Sequence, residues 1–187
     1  MKPLILASKS PRRKELLELV GINFDIDVCE TDEIINENIS LDEAIIDLAY
    51  QKAVPILAKN PDSIVLGADT IVVLDNKILV KPEDEADARQ MLKSLSGKTH
   101  QVITGVVLLS TEKVVRFANI TDVVMFEISD EEIDNYIKSK EPFDKAGAYA
   151  IQGEGAKFIK AIQGDYYTVV GLPIAEVYRH LKSDFSY

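Results

Sequence analysis

The 187-residue chain contains one cysteine, Cys29, so no disulfide can form within it, and a reducing compartment is expected. It has no apolar run approaching the ~18 residues a membrane helix requires. The apolar stretch from Pro3 to Ala7 is too short to be the core of a signal peptide, so the expected location is the cytoplasm. Positive charge is scarce as well. Twenty-one Lys and Arg face 31 Asp and Glu, giving a formal charge of −10 and a pI near 4.7. That balance disfavours a duplex-binding protein, which ordinarily carries a basic surplus. A small anionic ligand remains compatible with it, because a local basic pocket works inside an acidic protein. Internal repeats, linkers and low-complexity segments are missing too.

What is present is an ordinary globular balance, with 47% apolar and 28% charged residues over a length that suits one domain or one domain with two lobes. Residues 3–7 read as a strand. A Ser-Lys-Ser-Pro turn follows, then a helix from Pro11 to about Val20, with Ser10 at its N-cap and Gly21 as its stop. Phe24, Ile26 and Val28 alternate with polar partners and predict a second strand. Ser40 and Glu43 form a capping box opening a helix to about Ala58, in which Pro55 is expected to kink or shorten the helix. Residues 63–82 read as two or three strands around an Asp75-Asn76 tip. A helix from Glu83 to Leu95, two long strands (99–110 and 114–126) and a helix capped by Ser129 and Glu132 come next. Residues 156–171 read as a hairpin around Gly164-Asp165, and 173–183 as a last helix. Alternating strands and helices mixed with hairpins predict an α/β fold built on a mixed sheet.

Several apparent motifs fail. "SGKT" at 96–99 resembles the end of a P-loop, but the glycine that motif needs is replaced by Leu92, and a strand-like run follows where a helix should begin. "GEGAKF" at 153–158 begins like a dinucleotide fingerprint and ends on Phe158. His100 and His180 have no cysteine neighbours at metal spacing and read as surface or structural residues.

The turn into the first helix is different. Arg12, Arg13 and Lys14 crowd positive charge where the macrodipole is already positive and acids are preferred. An anion would relieve that conflict. Backbone N–H groups at a helix start bind phosphate, Ser8 adds a hydroxyl, and Arg12 and Arg13 add forked, charge-assisted hydrogen bonds. The alternative is a solvated basic helix face. A site that hydrolyses a triphosphate also needs acids for a metal and for activating water. Asp69 in "LGADT" (66–70) lies where an apolar run meets a glycine-containing turn. Asp32-Glu33 is a second acidic pair, which alone reads as solvated surface.

These segments together resemble the Maf family, septum-formation-associated nucleoside triphosphate pyrophosphatases. The resemblance rests on "LASKSPRRKELL" (6–17), "DE" (32–33), "QKA" (51–53), "LGADTIV" (66–72), "KP" (81–82), "LSGKTHQVITGV" (95–106), "EPFDKAGAYAIQGEGA" (141–156) and "GDYYTVVGLP" (164–173). It implies one Maf-like domain over residues 1–187, with two lobes around a nucleotide cleft, similar to the inosine triphosphate pyrophosphatases. It implies cleavage between the α- and β-phosphates with a divalent cation, Mg²⁺ or Mn²⁺. Ser8, Arg12, Arg13, Lys52 and Lys81 match the phosphate-binding positions. Asp69 matches the catalytic proton acceptor, and Asp69 with Glu33 the metal-binding acids.

Thr70 after the catalytic acid, with Arg12 and Gln152, is similar to the branch acting on dTTP and UTP. The 7-methyl-GTP branch tends to carry glutamine where Thr70 stands. An amide such as Gln152 offers both a donor and an acceptor, which suits the imide edge of uracil or thymine. The resemblance also suggests a homodimer and a role in limiting non-standard nucleotides or in cell division. The expected partner is a nucleoside triphosphate, with no nucleic acid and no membrane. Two other readings stand beside it: a pyrophosphatase for another modified or purine nucleotide, and a non-catalytic nucleotide-binding regulator of septation.

Overall fold

A computed structural model describes residues 2–30, 34–36 and 38–187. The chain is a mixed α/β protein whose strands are hydrogen-bonded in the order β2-β1-β3-β5-β6-β7, with β4 attached to β3. These are β1 (Leu4–Leu6), β2 (Asp25–Ile26), β3 (Ile64–Leu74), β4 (Lys77–Leu79), β5 (Thr99–Leu109), β6 (Val114–Met125) and β7 (Ile159–Gln163). The helices are α1 (Pro11–Leu19), α2 (Leu41–Lys59), α3 (Glu85–Leu95), α4 (Asp130–Lys138), α5 (Tyr166–Val170) and α6 (Ile174–Phe185). The chain divides into two compact units. Strands β3, β5 and β6 contribute residues to both.

Unit 1 comprises residues 1–69, 104–119 and 171–187. Here β1 pairs parallel with β2 and with β3, Leu6 standing opposite Ile26 on one side and Leu66 on the other. Ile5, Ala7, Val65, Val107 and Leu109 pack with Ala49, Ala53 and Ile56 of α2. Glycine lets that helix lie close to the strands. A Cβ on Gly67 would stand 2.2 Å from the Ala49 carbonyl oxygen, and one on Gly105 would stand 2.6 Å from Ile45 backbone atoms. The α2 capping box forms as its sequence predicts, with Ser40 Oγ 2.8 Å from Glu43 Oε2. The helix continues past Pro55 to Lys59 and is not shortened there, although a proline forgoes one helical N–H bond.

Unit 2 comprises residues 70–103 and 120–170. Two antiparallel pairings lie here, β3 with β4 and β6 with β7. Asp75 and Asn76 both take positive φ (51° and 62°), as a tight hairpin turn requires. Tyr136, Phe158, Leu92, Leu95, Val123 and Ile133 belong to its apolar core. The expected hairpin around Gly164-Asp165 is not there. Strand β7 ends at Gln163, and Tyr166–Val170 forms α5. The cause is Asp165, whose Oδ2 accepts the Thr168 N–H at 2.7 Å and the Thr168 hydroxyl at 2.8 Å. That cap turns an apolar, β-favouring run into a helical turn.

Candidate active site

In unit 1 the loop between β1 and α1 carries the first group. Ala7 donates to the Leu66 carbonyl at 2.9 Å, which holds the end of β1 against β3 and sets where Ser8 begins. Ser10 occupies the N-cap of α1 and Pro11 its first turn, as expected, but Ser10 makes no side-chain cap bond. No acidic residue occupies that first turn either. The three basic residues take three different environments. Lys14 is exposed and lies 3.7 Å from Glu18, one turn along the same helix. Arg12 is half-buried. Arg13 is only 9% exposed, so its guanidinium does not belong to a solvated basic face.

Arg13 Nε donates to the Gly171 carbonyl at 2.9 Å, and Nη1 donates to Ser8 Oγ at 3.1 Å. These two bonds fix the plane of the fork. Ser8 Oγ also accepts the Ser10 N–H at 3.2 Å. A hydroxyl has two acceptor lone pairs and one O–H. With two bonds accepted, the capacity left to Ser8 is donation, which suits an anionic oxygen.

The second group joins α2 to β3. Lys52 Nζ lies 2.7 Å from Asp69 Oδ2, and the two side chains are 20% and 18% exposed. Gly67, two residues before Asp69, brings α2 close enough for this pair to form. Asp69 follows Leu66 by three residues on β3, and Ser8 follows Leu6 by two on the neighbouring parallel strand, with Leu6 opposite Leu66. The register therefore brings the serine–arginine loop and the lysine–aspartate pair to adjacent strands of one unit. Gln51, next to Lys52, holds the chain at Ile34: its Oε1 accepts the Ile34 N–H at 3.1 Å and its Nε2 donates to the Ile34 carbonyl at 2.9 Å. Glu33 and Asp32 lie outside the described residues.

The remaining site residues of the sequence reading belong to unit 2. Thr70 is half-buried on β3, directly after Asp69. Lys81 is exposed just beyond β4, where Gly147 donates to the Val80 carbonyl at 3.1 Å. Gln152 is half-buried, in extended backbone before a 3₁₀ turn at Gly153–Phe158.

Both histidines are structural. His100 is 2% exposed, with Nε2 2.6 Å from the Tyr149 hydroxyl, and His180 Nδ1 is 2.9 Å from Asp184 on its own helix. Burial pushes His100 down to about 4, against the opposing influence of Asp122. The rejected P-loop segment runs into β5, as expected. Among the described residues no three His, Cys, Asp or Glu side chains form a metal-binding group. No helix among them is long and apolar enough to cross a membrane.

The sequence profile of the Maf family, described as "Maf-like protein", matches residues 3–184. The chain belongs to the Maf family. A Bacillus cereus (strain G9842) protein named dTTP/UTP pyrophosphatase is 56% identical over 182 residues, covering 97% of this chain and 95% of its own. One of the same name from Bacillus cytotoxicus is also 56% identical, with the same coverage of both chains. A third, from Bacillus thuringiensis subsp. konkukian, is 54% identical over 182 residues, again covering 97% and 95%. Among solved structures, the Staphylococcus aureus Ham1 protein superposes with a TM-score of 0.47 at 14% identity, over 66% of this chain and 72% of that one.

Local signals, a basic helix start and an acid at the edge of an apolar strand, pointed to Ser8, Arg12, Arg13 and Asp69, while Lys52, Lys81 and Glu33 were reached only through the family resemblance. Neither singled out Glu141 or Tyr136. Their signal is indirect, in the spacing of Gly153 and Gly155, because both glycines sit where a side chain would strike those two residues.

Proposed function

We propose that this Maf protein hydrolyses dTTP and UTP to the nucleoside monophosphate and pyrophosphate. The observation that carries the reading is the pairing of two groups in unit 1: Arg13 locked onto Ser8 and Gly171, and Lys52 locked onto Asp69. The first group offers fixed donors to an anion; the second sets a carboxylate beside a cation. The names of the relatives, with 54–56% identity across nearly the whole chain, support dTTP and UTP as the substrates.

In the proposed reaction a water oxygen attacks the α-phosphorus, the α–β anhydride bond breaks, and pyrophosphate leaves. Ser8, Arg12, Arg13, Lys52 and Lys81 bind the triphosphate and offset its charge. Asp69 orients the water and accepts its proton. Most of the rate then comes from positioning and preorganised charge, which are in place before the substrate arrives. Asp69 is a hard oxygen donor, and Mg²⁺ or Mn²⁺ held by one or two carboxylates takes its remaining ligands from phosphates and water. Asp69 and Glu33 would hold such an ion, which would supply charge stabilisation at the phosphoryl oxygens. Thr70 and Gln152, with Arg12, select the base. We also propose a cytoplasmic location, in keeping with the lone cysteine and a nucleotide substrate, and a homodimer, which the family resemblance suggests. Limiting non-standard nucleotides or affecting cell division is the proposed role.

Product analysis tests the reaction. UTP incubated with the protein and Mg²⁺ is expected to yield UMP and pyrophosphate in equal amounts, and EDTA is expected to stop turnover. Release of inorganic phosphate and UDP would contradict the reading. Saturable UTP binding without turnover would favour a regulator.

A further inference from the structure

The segment Ala150–Gly155 holds Gln152 at its middle and is neither strand nor α-helix around that residue. An unsupported loop would place an amide poorly. This one is tied to a single point just after Gln152. Tyr136, fully buried on α4, donates its O–H to Glu141 Oε1 at 2.8 Å. Glu141 then accepts the Glu154 N–H on Oε2 at 3.0 Å and the Gly155 N–H on Oε1 at 3.1 Å. The residues two and three after Gln152 are thus fastened through one carboxylate, which one phenol holds in turn.

The glycines follow from the same anchor. Gly153 has φ of +78°, and a Cβ there would lie 2.4 Å from Glu141 Oε2. On Gly155 a Cβ would lie 2.5 Å from the Ala150 carbonyl oxygen and 2.8 Å from the Tyr136 hydroxyl. Any side chain at either position would push the loop off its anchor. Burial works to raise the Glu141 carboxyl, but the Glu154 N–H, the Tyr136 hydroxyl, the Gly155 N–H and Lys145 together hold it below the usual carboxylate range. The group is therefore an anion at neutral pH, which three converging donors require.

We propose that Glu141 is a positioning residue for base selection: in a relay that starts at the Tyr136 hydroxyl, its carboxylate fixes the Glu154–Gly155 backbone so that Gln152 presents its amide to the base. This rests on the reading of Gln152 as a base-selecting residue. Glu141→Gln is the informative change, because it keeps the shape of the side chain. Whichever way the new amide turns, its NH₂ replaces an oxygen that accepts at least one backbone N–H.

The test measures kcat and KM for UTP and GTP in the wild type, Glu141→Gln, Gln152→Ala and the double variant. The UTP-to-GTP ratio of kcat/KM is expected to fall about tenfold in Glu141→Gln, the size of effect an unsatisfied buried donor carries, mainly through KM for UTP. The double variant is expected to fall no further than Gln152→Ala alone, since both changes disable one function. Equal losses on UTP and GTP in Glu141→Gln would make the residue merely structural and overturn the proposal. Multiplying effects in the double variant would also overturn it. A normal fall in Gln152→Ala with an unaltered ratio in Glu141→Gln would sink only the positioning role. A wild-type ratio in Gln152→Ala would sink the reading of Gln152 and this proposal with it. Should Glu141→Gln fail to fold, Tyr136→Phe carries the test, because it removes one oxygen from the relay and keeps the ring. The same drop in ratio is expected, and an unaltered ratio would count against the relay.

Discussion

The charged groups of unit 1 and the Gln152 loop of unit 2 are built on different principles. In unit 1 functional side chains are held directly by their own partners: Arg13 by Ser8 and the Gly171 carbonyl, Asp69 by Lys52. In unit 2 the fixing group holds backbone, and Gln152 gains its place from neighbours two and three residues away. The contrast suits what each region is proposed to meet. A triphosphate tail is the same in every nucleotide, so its site rewards rigid, fully oriented charge. The base differs, and a loop anchored through its backbone lets one amide be exchanged without disturbing the charged groups. Changes at Arg13, Lys52 and Asp69 should therefore lower turnover on all nucleotides alike, and changes around Gln152 should alter preference.

The largest expected break is Asp69→Asn. The amide keeps the shape but cannot accept a proton as an anion, and a general-base role is worth ~10²–10⁴-fold in rate. Pyrophosphate release on every nucleotide should fall by that order, while the melting temperature shows the fold intact. More than half of the wild-type rate would remove Asp69 from the chemistry.

Acid should separate the two regions next. His100 in unit 2 is held down to about 4 by burial, against about 6.5 in an unfolded chain. Its folded value is the lower one, so the unfolded state binds the extra proton between those limits. Stability from this group is complete above about pH 6.5 and is lost as pH falls toward about 4, amounting to ~3 kcal/mol over the window. Denaturant unfolding against pH should show this slope, and His100→Gln should remove it. An equal slope in that variant would assign the acid sensitivity elsewhere.

Gly67→Ala should probe the frame of unit 1. The new Cβ would fall 2.2 Å from the Ala49 carbonyl oxygen, so α2 must shift and carry Lys52 away from Asp69. Overpacking of this kind costs about 1–3 kcal/mol. A lowered melting temperature with slower turnover on all nucleotides is expected; wild-type turnover would show that the Lys52–Asp69 spacing is unimportant. The smallest effect is expected from Arg13→Lys, which forfeits the Nε bond to Gly171 and the fork geometry, about 0.5–1.5 kcal/mol for a hydrogen bond. Its kcat/KM should drop in parallel for all substrates. Kinetics equal to wild type across salt concentrations would make Arg13 a structural arginine only.

Most of the frame is legible from local signals. Ser10-Pro11 and Gly21 bracket α1, both capping boxes appear where Ser and Glu stand three apart, and Asp75-Asn76 marks its turn. These features depend on residues within a few positions of one another. The errors have long-range or side-chain causes. Asp165 capping Thr168 overrode the β-preference of Tyr166–Val170. The Arg13 bond to Gly171 spans 158 residues, and the close packing of α2 on Gly67 and Gly105 is a tertiary fact with no local signature. The same holds for Glu141, whose partners lie 13 and 14 residues on. The charged residues of the site were readable from residue type and family resemblance, while the devices that orient them required coordinates.

The most direct measurement is kcat/KM for UTP, dTTP, CTP, GTP and ATP in the wild type, Arg13→Lys and Gln152→Ala. The wild type is expected to prefer UTP and dTTP. Arg13→Lys should lower all five by a common factor. Gln152→Ala should lower UTP and dTTP by the equivalent of ~1–3 kcal/mol and the others much less, because only those bases lose a matched polar partner. An equal fall for all five in Gln152→Ala, or a wild type that prefers GTP, would contradict the division of labour between the two regions.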